Sequence, residues 1–249
     1  VFSRPALAVQ DLVDIYNLSV QSNPVLMAQA AAQRATEELA DQADAAFLPQ
    51  VDMVANNSKV WTDSSSQRFG QPIYRRNNFV QSRQAEFAIE GAAADYQFAE
   101  QDLIVRVADR YFAVLGAEDD LSFALAELEA IEKQLEQADQ RFEVGLATII
   151  DVTEARAAYD LATAAIIEAE NLLANAREAL RETAGQYPSE LAELKEETPL
   201  VKPEPENIEE WSEQAIVMNP VLQSANSNVG LAKENIEFER SGHYPTLDL

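Results

Sequence analysis

The chain has 249 residues, with 43 acidic against 18 basic side chains and a formal net charge of −25, which argues against nucleic acid as a partner. It has no cysteine, which removes disulfides and thiolate chemistry. No apolar run reaches the ~18 residues of a membrane-spanning helix, so a membrane role would need β-strands. Seven glycines and long stretches of Ala, Glu, Gln and Leu point to long helices and coiled coils rather than sheets. The acidity has two readings, a solvated surface or an acidic lining that favours cationic solutes.

Residues 1–8 end in Ala6-Leu7-Ala8, the small-x-small form left at a signal-peptidase site, and are expected to be the remnant of an export signal. Residues 9–22 read as a short amphipathic helix with Leu12, Ile15, Tyr16 and Leu18 on its apolar side. Asn23-Pro24 breaks and restarts the helix, with Asn as cap and Pro at the first helical position. The second helix runs to about Ala46 and stops before Pro49. Residues 51–73 change character: Val51, Met53 and Ala55 alternate with Asp52, Val54 and Asn56, and Thr62-Asp63-Ser64-Ser65-Ser66 is turn-like. This predicts a β-hairpin whose arms, roughly nine or ten residues each, suffice for tilted strands crossing a bilayer.

From Tyr74 to about Phe142 there is no proline, and a helix of that length spans roughly 100 Å. Val107, Val114, Leu121, Leu128, Leu135 and Phe142 recur every seven residues, with Ala124, Ile131 and Ala138 three positions after members of that series. A strict repeat of seven predicts a left-handed supercoil. Val144-Gly145-Leu146-Ala147-Thr148 is a turn, and a second long helix follows from about Ile149 to Thr183. Its ladder is Val152, Tyr159, Ile166, Leu173 and Leu180, flanked by alanines at 155, 162, 169 and 176. Two heptad helices joined by a short turn make an antiparallel hairpin. These stripes are packing surfaces and not a cofactor box. Residues 185–208, with Gly185, Pro188, Pro199, Pro203 and Pro205 among glutamates, are an irregular connector.

The end of the chain repeats its beginning. Asn23-Pro24-Val25-Leu26 recurs as Asn219-Pro220-Val221-Leu222, 196 positions later, and the same offset carries Glu38 onto Glu234, Pro49 onto Pro245 and Asp52 onto Asp248. Residues 209–249 are therefore the start of a second repeat, and the chain is expected to be part of a longer protein.

The ordered series of motifs resembles the TolC-like outer-membrane efflux protein family, the outer-membrane channels of tripartite efflux and type I secretion systems. The resemblance lies in Ser22-Asn23-Pro24-Val25-Leu26, Phe47-Leu48-Pro49-Gln50, Gln71-Pro72-Ile73-Tyr74 and Tyr111-Phe112-Ala113-Val114-Leu115. It is densest at Arg141-Phe142-Glu143-Val144-Gly145-Leu146, Asp151-Val152 and Ala155-Arg156-Ala157-Ala158-Tyr159-Asp160, and covers essentially all of residues 9–249. It implies a mainly α fold with a small β part. The antiparallel coiled-coil hairpin, 74–184, would line a periplasmic α-barrel tunnel, and the β-hairpin, 51–73, would enter a transmembrane β-barrel shared between subunits. Residues 9–50 would be the first-repeat helices and 185–208 an equatorial connector.

The resemblance further implies a homotrimer in the outer membrane of a Gram-negative bacterium, in contact with outer-membrane lipid and extending into the periplasm. Such a trimer acts as a passive exit duct docked to a periplasmic adaptor and an inner-membrane pump or exporter. Val144, Gly145, Leu146 and Ala147 match the family's helix-hairpin tip, the adaptor-docking site; Gly145 also has a plain reading as the left-handed residue of a turn. Asp151 matches an acidic residue of the periplasmic gate, against the alternative of a helix-start aspartate favoured by the dipole. Ile150 departs from the family's best-known member, which carries a hydroxyl residue there. The alternative function is a soluble periplasmic coiled-coil structural or adaptor protein, and a six-chain assembly of single repeats is a further possibility.

No catalytic or cofactor motif is present: no HExxH, no Gly-rich phosphate loop and no nucleophile elbow. His243, the single histidine, matches Phe47 of the first copy and reads as structural. Arg68, Arg75, Arg76 and Arg83 cluster at the base of the hairpin, suited to anionic lipid headgroups or to acids on a neighbouring chain.

Overall fold

The computed structural model describes residues 9–56, 64–194 and 202–249, with the side chains of 52–69 outside the description. The expected export remnant at 1–8 and the turn around Thr62-Asp63 fall outside the described residues. The elements in chain order are α1 (Leu12–Ser22), α2 (Pro24–Ala45), β1 (Gln50–Asn56), β2 (Ser64–Gly70), β3 (Pro72–Tyr74), α3 (Arg76–Glu143), α4 (Ile149–Ala184), α5 (Ile208–Met218), α6 (Pro220–Ser241) and β4 (Leu247–Asp248). The fold is mainly helical, as the composition predicts, with a small β part. The chain forms two compact units, residues 1–24 with 102–199 and residues 25–101 with 200–249.

The first unit holds α1, the C-terminal part of α3 and α4. The heptads set the packing here. Between 121 and 140 the positions not fully exposed are Leu121, Ala124, Leu128, Ile131, Leu135 and Ala138, the predicted ladder and its companions. On α4 every ladder residue from Val152 to Leu180 is at least half-buried, and Ala162 and Ala169 are buried beside them. Alanine on one row lets the two backbones approach where the neighbouring row carries large side chains. A bond from Arg177 to Glu118, 2.8 Å, ties α4 to α3.

The base of α4 is sealed by α1. Ile15 and Ser19 are fully buried, and the last carbonyls of α4, which have no partner within the helix, receive side-chain donors. Ser22 Oγ lies 2.6 Å from the Ala184 carbonyl oxygen and Asn23 Nδ2 donates to Thr183 O at 3.0 Å. Gly185 closes α4 in the left-handed region at φ +77, and its backbone N–H bonds Arg181 O. The connector begins with a parallel bridge: Gln10 N–H donates to Glu190 O at 2.8 Å and Ala192 N–H to Gln10 O at 2.9 Å.

The second unit holds α2, the N-terminal part of α3, α5, α6 and the strands. β1 and β2 pair antiparallel from Gln50↔Gly70 to Asn56↔Ser64, so the predicted hairpin forms. Its C-terminal end differs from the expectation over 51–73. Residues 72–74 leave the hairpin as β3 and pair antiparallel with β4, with Gln71 and Leu249 exchanging backbone hydrogen bonds of 3.1 and 2.9 Å. Pro72 has no amide hydrogen to continue a ladder and sits at this switch. Among the described residues no helix is long and apolar enough to cross a membrane.

Candidate functional site

The hairpin tip is built by two helix ends. Helix α3 finishes in a Schellman arrangement: Leu146 N–H donates to Arg141 O at 2.8 Å and Gly145 N–H to Phe142 O at 2.9 Å. This geometry needs a left-handed residue at Gly145, whose φ is +74. A Cβ there would meet nothing within 4 Å, so the backbone angle, not crowding, is the reason for glycine. Thr148 then caps α4. Its N–H donates to Asp151 Oδ2 at 2.6 Å and Asp151 N–H donates to Thr148 Oγ1 at 3.3 Å, a reciprocal capping box.

These two caps fix what the tip presents. With the polar groups consumed by capping, the side chains that project are apolar: Val144 is 69% exposed, Leu146 73%, Ile149 58% and Ile150 63%. Ala147 is half-buried. Residues 144–147 were legible as a tip in the sequence; Ile149 and Ile150 were missed as part of the same patch. The available signal was the apolar pair in the first turn of α4, a place that otherwise favours acids.

Asp151 does its structural work at home. Hydrogen bonds from the Thr148 backbone and hydroxyl hold its carboxyl below the usual carboxylate range, and the nearby Arg141 charge acts in the same direction. Gln134, Gln137, Ala138 and Arg141 of α3 and Asp151 and Ala155 of α4 line one shallow polar depression behind the tip.

Three of the four arginines at the base of the hairpin pair with acids of this chain. Arg75 makes a two-pronged contact with Asp248, Nε to Oδ1 at 2.7 Å and Nη2 to Oδ2 at 2.8 Å. Arg76 bonds Glu237 at 3.2 Å and stacks over the Tyr244 ring, 4.4 Å from its centroid. Arg83 bonds Glu234 at 2.9 Å. The Arg68 side chain lies outside the described residues. Among the described residues no group of His, Asp and Glu could hold a metal ion.

Residues 15–186 match the family described as Outer membrane efflux protein. The chain is 37% identical over 253 residues to the outer membrane protein TolC of Vibrio cholerae, covering 98% of this chain and 58% of that one. It is 36% identical over 252 residues to the TolC of Escherichia coli, covering 96% of this chain and 51% of that one. The chain thus spans a little over half the length of these curated relatives. The solved CmeC outer membrane channel of Campylobacter jejuni shares the fold, with a TM-score of 0.78 at 14% identity over 95% of this chain and 54% of that one. The chain therefore belongs to the outer membrane efflux protein family.

Proposed function

We propose that this chain is part of a protomer of a trimeric channel in the outer membrane of a Gram-negative bacterium, a passive exit duct for efflux or type I secretion and not an enzyme. In this reading residues 9–50 are the first-repeat helices, 51–73 supply strands to a barrel shared between subunits and in contact with outer-membrane lipid, and 74–184 line the periplasmic tunnel. Residues 185–208 form the equatorial connector, 209–249 open the second repeat, and 1–8 are the remnant of the export signal. A barrel shared in this way leaves no open strand edge in lipid, where unpaired edges are not tolerated.

The observation that carries the reading is the exposed apolar tip on a hairpin of family pattern. Val144, Leu146, Ile149 and Ile150 form an apolar end on an otherwise strongly acidic chain, which suits docking of a periplasmic adaptor that links the duct to an inner-membrane pump or exporter. Gly145 and Ala147 belong to the same tip, the glycine shaping it. Asp151 serves as the gate carboxylate in this proposal while keeping its cap. Only one of its oxygens, Oδ2, is taken by Thr148, so Oδ1 is available to a basic or polar group at the closed entrance.

The test is single-channel conductance of the full protein in planar bilayers, together with efflux in cells. Steady conductance with a charge change at Asp151 that raises the open fraction supports the duct and its gate. A protein that stays water-soluble without detergent and gives no conductance would overturn the channel reading in favour of the adaptor one.

A further inference from the structure

Where α4 ends, the first residues of the connector lie against α3 and α4 and leave a groove of about 600 Å³ between them. Val114 and Leu180, both buried, form its floor, and Tyr187 stands at its side. The tyrosine is 70% exposed and yet held in place. Its hydroxyl donates to Glu178 Oε2 at 2.9 Å, and the Arg181 guanidinium lies 5.2 Å from the ring centroid. An exposed aromatic ring that is already fixed loses little freedom when something packs on it.

The groove also has charge and main-chain groups to spare. Its basic residue, Arg177, is taken by Glu118 at 2.8 Å. The Glu190 and Glu193 carboxylates are exposed and have no hydrogen bond or ion pair among the described residues, so their negative charge is uncompensated. The main-chain groups follow from the bridge to Gln10. That bridge uses the carbonyl of Glu190 and the N–H of Ala192, and in an extended chain the groups of the residue between them point to the opposite edge. The N–H and carbonyl of Leu191 therefore face away from Gln10, and neither has a hydrogen bond among the described residues. Leu191 lines the groove, so this open edge runs beside the uncompensated carboxylates.

We propose that this groove is a docking site for an extended basic segment of a partner protein, which adds as a strand at the Leu191 edge. The segment's backbone pairs with the Leu191 N–H and carbonyl, its basic side chains meet Glu190 and Glu193, and an apolar side chain packs on Tyr187. Charge complementarity selects the occupant: an acidic or neutral peptide leaves both carboxylates unpaired, and an anionic lipid headgroup is repelled. A small amine would serve the carboxylates and leave the Leu191 edge open, so an extended peptide is what uses all three features. The site lies at the opposite end of α4 from the hairpin tip, and it does not depend on the reading of the chain as a channel.

The test is fluorescence anisotropy of the detergent-solubilised full protein with a short peptide of alternating arginine and valine, carrying an N-terminal dye and a C-terminal amide, at low ionic strength. Glu190→Gln combined with Glu193→Gln should weaken binding about tenfold. Glu168→Gln combined with Glu170→Gln removes the same charge from an exposed stretch of α4 and should change the affinity by less than about twofold. N-methylation of the peptide's backbone amides should weaken binding about fivefold, and hydrogen exchange of the Leu191 amide should slow only when the unmodified peptide is added. No binding, equal weakening by the two double variants, or no effect of N-methylation would overturn the proposal. So would a Leu191 amide already protected without peptide, since another part of the protein would then cover the edge. Conductance in a protein that does not bind the peptide would sink only this site, whereas binding without conductance would sink only the channel reading.

Discussion

At the scale of single residues, two glycines with nearly the same φ predict different costs. Gly145 and Gly185 both sit in the left-handed region, at φ +74 and +77. A Cβ on Gly145 meets open space, while one on Gly185 would lie 2.6 Å from Ser22 Oγ and 2.7 Å from Ser22 Cβ. Gly145→Ala should cost about 1 kcal/mol from backbone conformation alone. Gly185→Ala should cost more than about 2 kcal/mol, because it also displaces the hydroxyl that serves the α4 carbonyls. Thermal unfolding of the two variants checks the order.

Asp151 makes a second residue-scale prediction, in pH. Its carboxyl is held below the usual range by Thr148. The stabilisation is therefore full above the unfolded carboxylate pKa of about 4 and is lost as pH falls through the lower folded value. Thr148→Ala should cost about 1 kcal/mol at neutral pH, and the difference in unfolding midpoint from the parent protein should shrink on acidification below about pH 4. A difference independent of pH would show that the carboxylate takes no part in the cap.

At the scale of elements, the two Asn-Pro junctions share a sequence, but Asn23 also reaches across to α4. Asn23 is buried at 3% exposure and donates to the Thr183 carbonyl across to α4. Asn219 is exposed and its Oδ1 accepts from Val221 N–H at 2.9 Å, a local cap. Asn23→Ala leaves a buried carbonyl short of a donor and should cost about 1–3 kcal/mol, while loosening the end of α4. Asn219→Ala should cost about 1 kcal/mol and act only on α6. Hydrogen exchange separates the cases: amides in the last turns of α4 should exchange faster in the first variant and not in the second.

At the scale of the whole molecule, the prediction concerns the tip. Leu146→Asp adds a charge to the exposed apolar end while leaving the Schellman bonds, which use backbone atoms, in place. Cells carrying this variant should lose efflux or secretion through the complex, while the purified full protein keeps its conductance. Loss of both together would mean that Leu146 supports the fold rather than a partner.

Much of this was legible before any coordinates. The heptads named in advance every half-buried position of α3 between 121 and 140, because a coiled-coil seam repeats within one helix and leaves a periodic trace. The β-hairpin over 51–73 was found, but its last residues were assigned to the wrong partner. Pairing of Pro72–Tyr74 with Leu247–Asp248 spans most of the chain and has no local signal. The arginines at the base of the hairpin were read as meeting anionic lipid headgroups or acids on a neighbouring chain, and not as pairing with Glu234, Glu237 and Asp248, since charge alone does not say which helix lies alongside.

Periodic and local features could be read from the residues alone: the repeat, the helices with their Asn-Pro breaks, the turn at Gly145 and the family. Burial depended on long-range packing, most clearly in the repeated Asn-Pro-Val-Leu. Leu26 is 3% exposed and Leu222 41%, while Pro24 is exposed and Pro220 buried. Identical residues at equivalent positions of the two repeated helices meet opposite fates because the two copies turn different faces to their neighbours. Burial is set by the neighbour a face meets, and that neighbour is not encoded in the four residues.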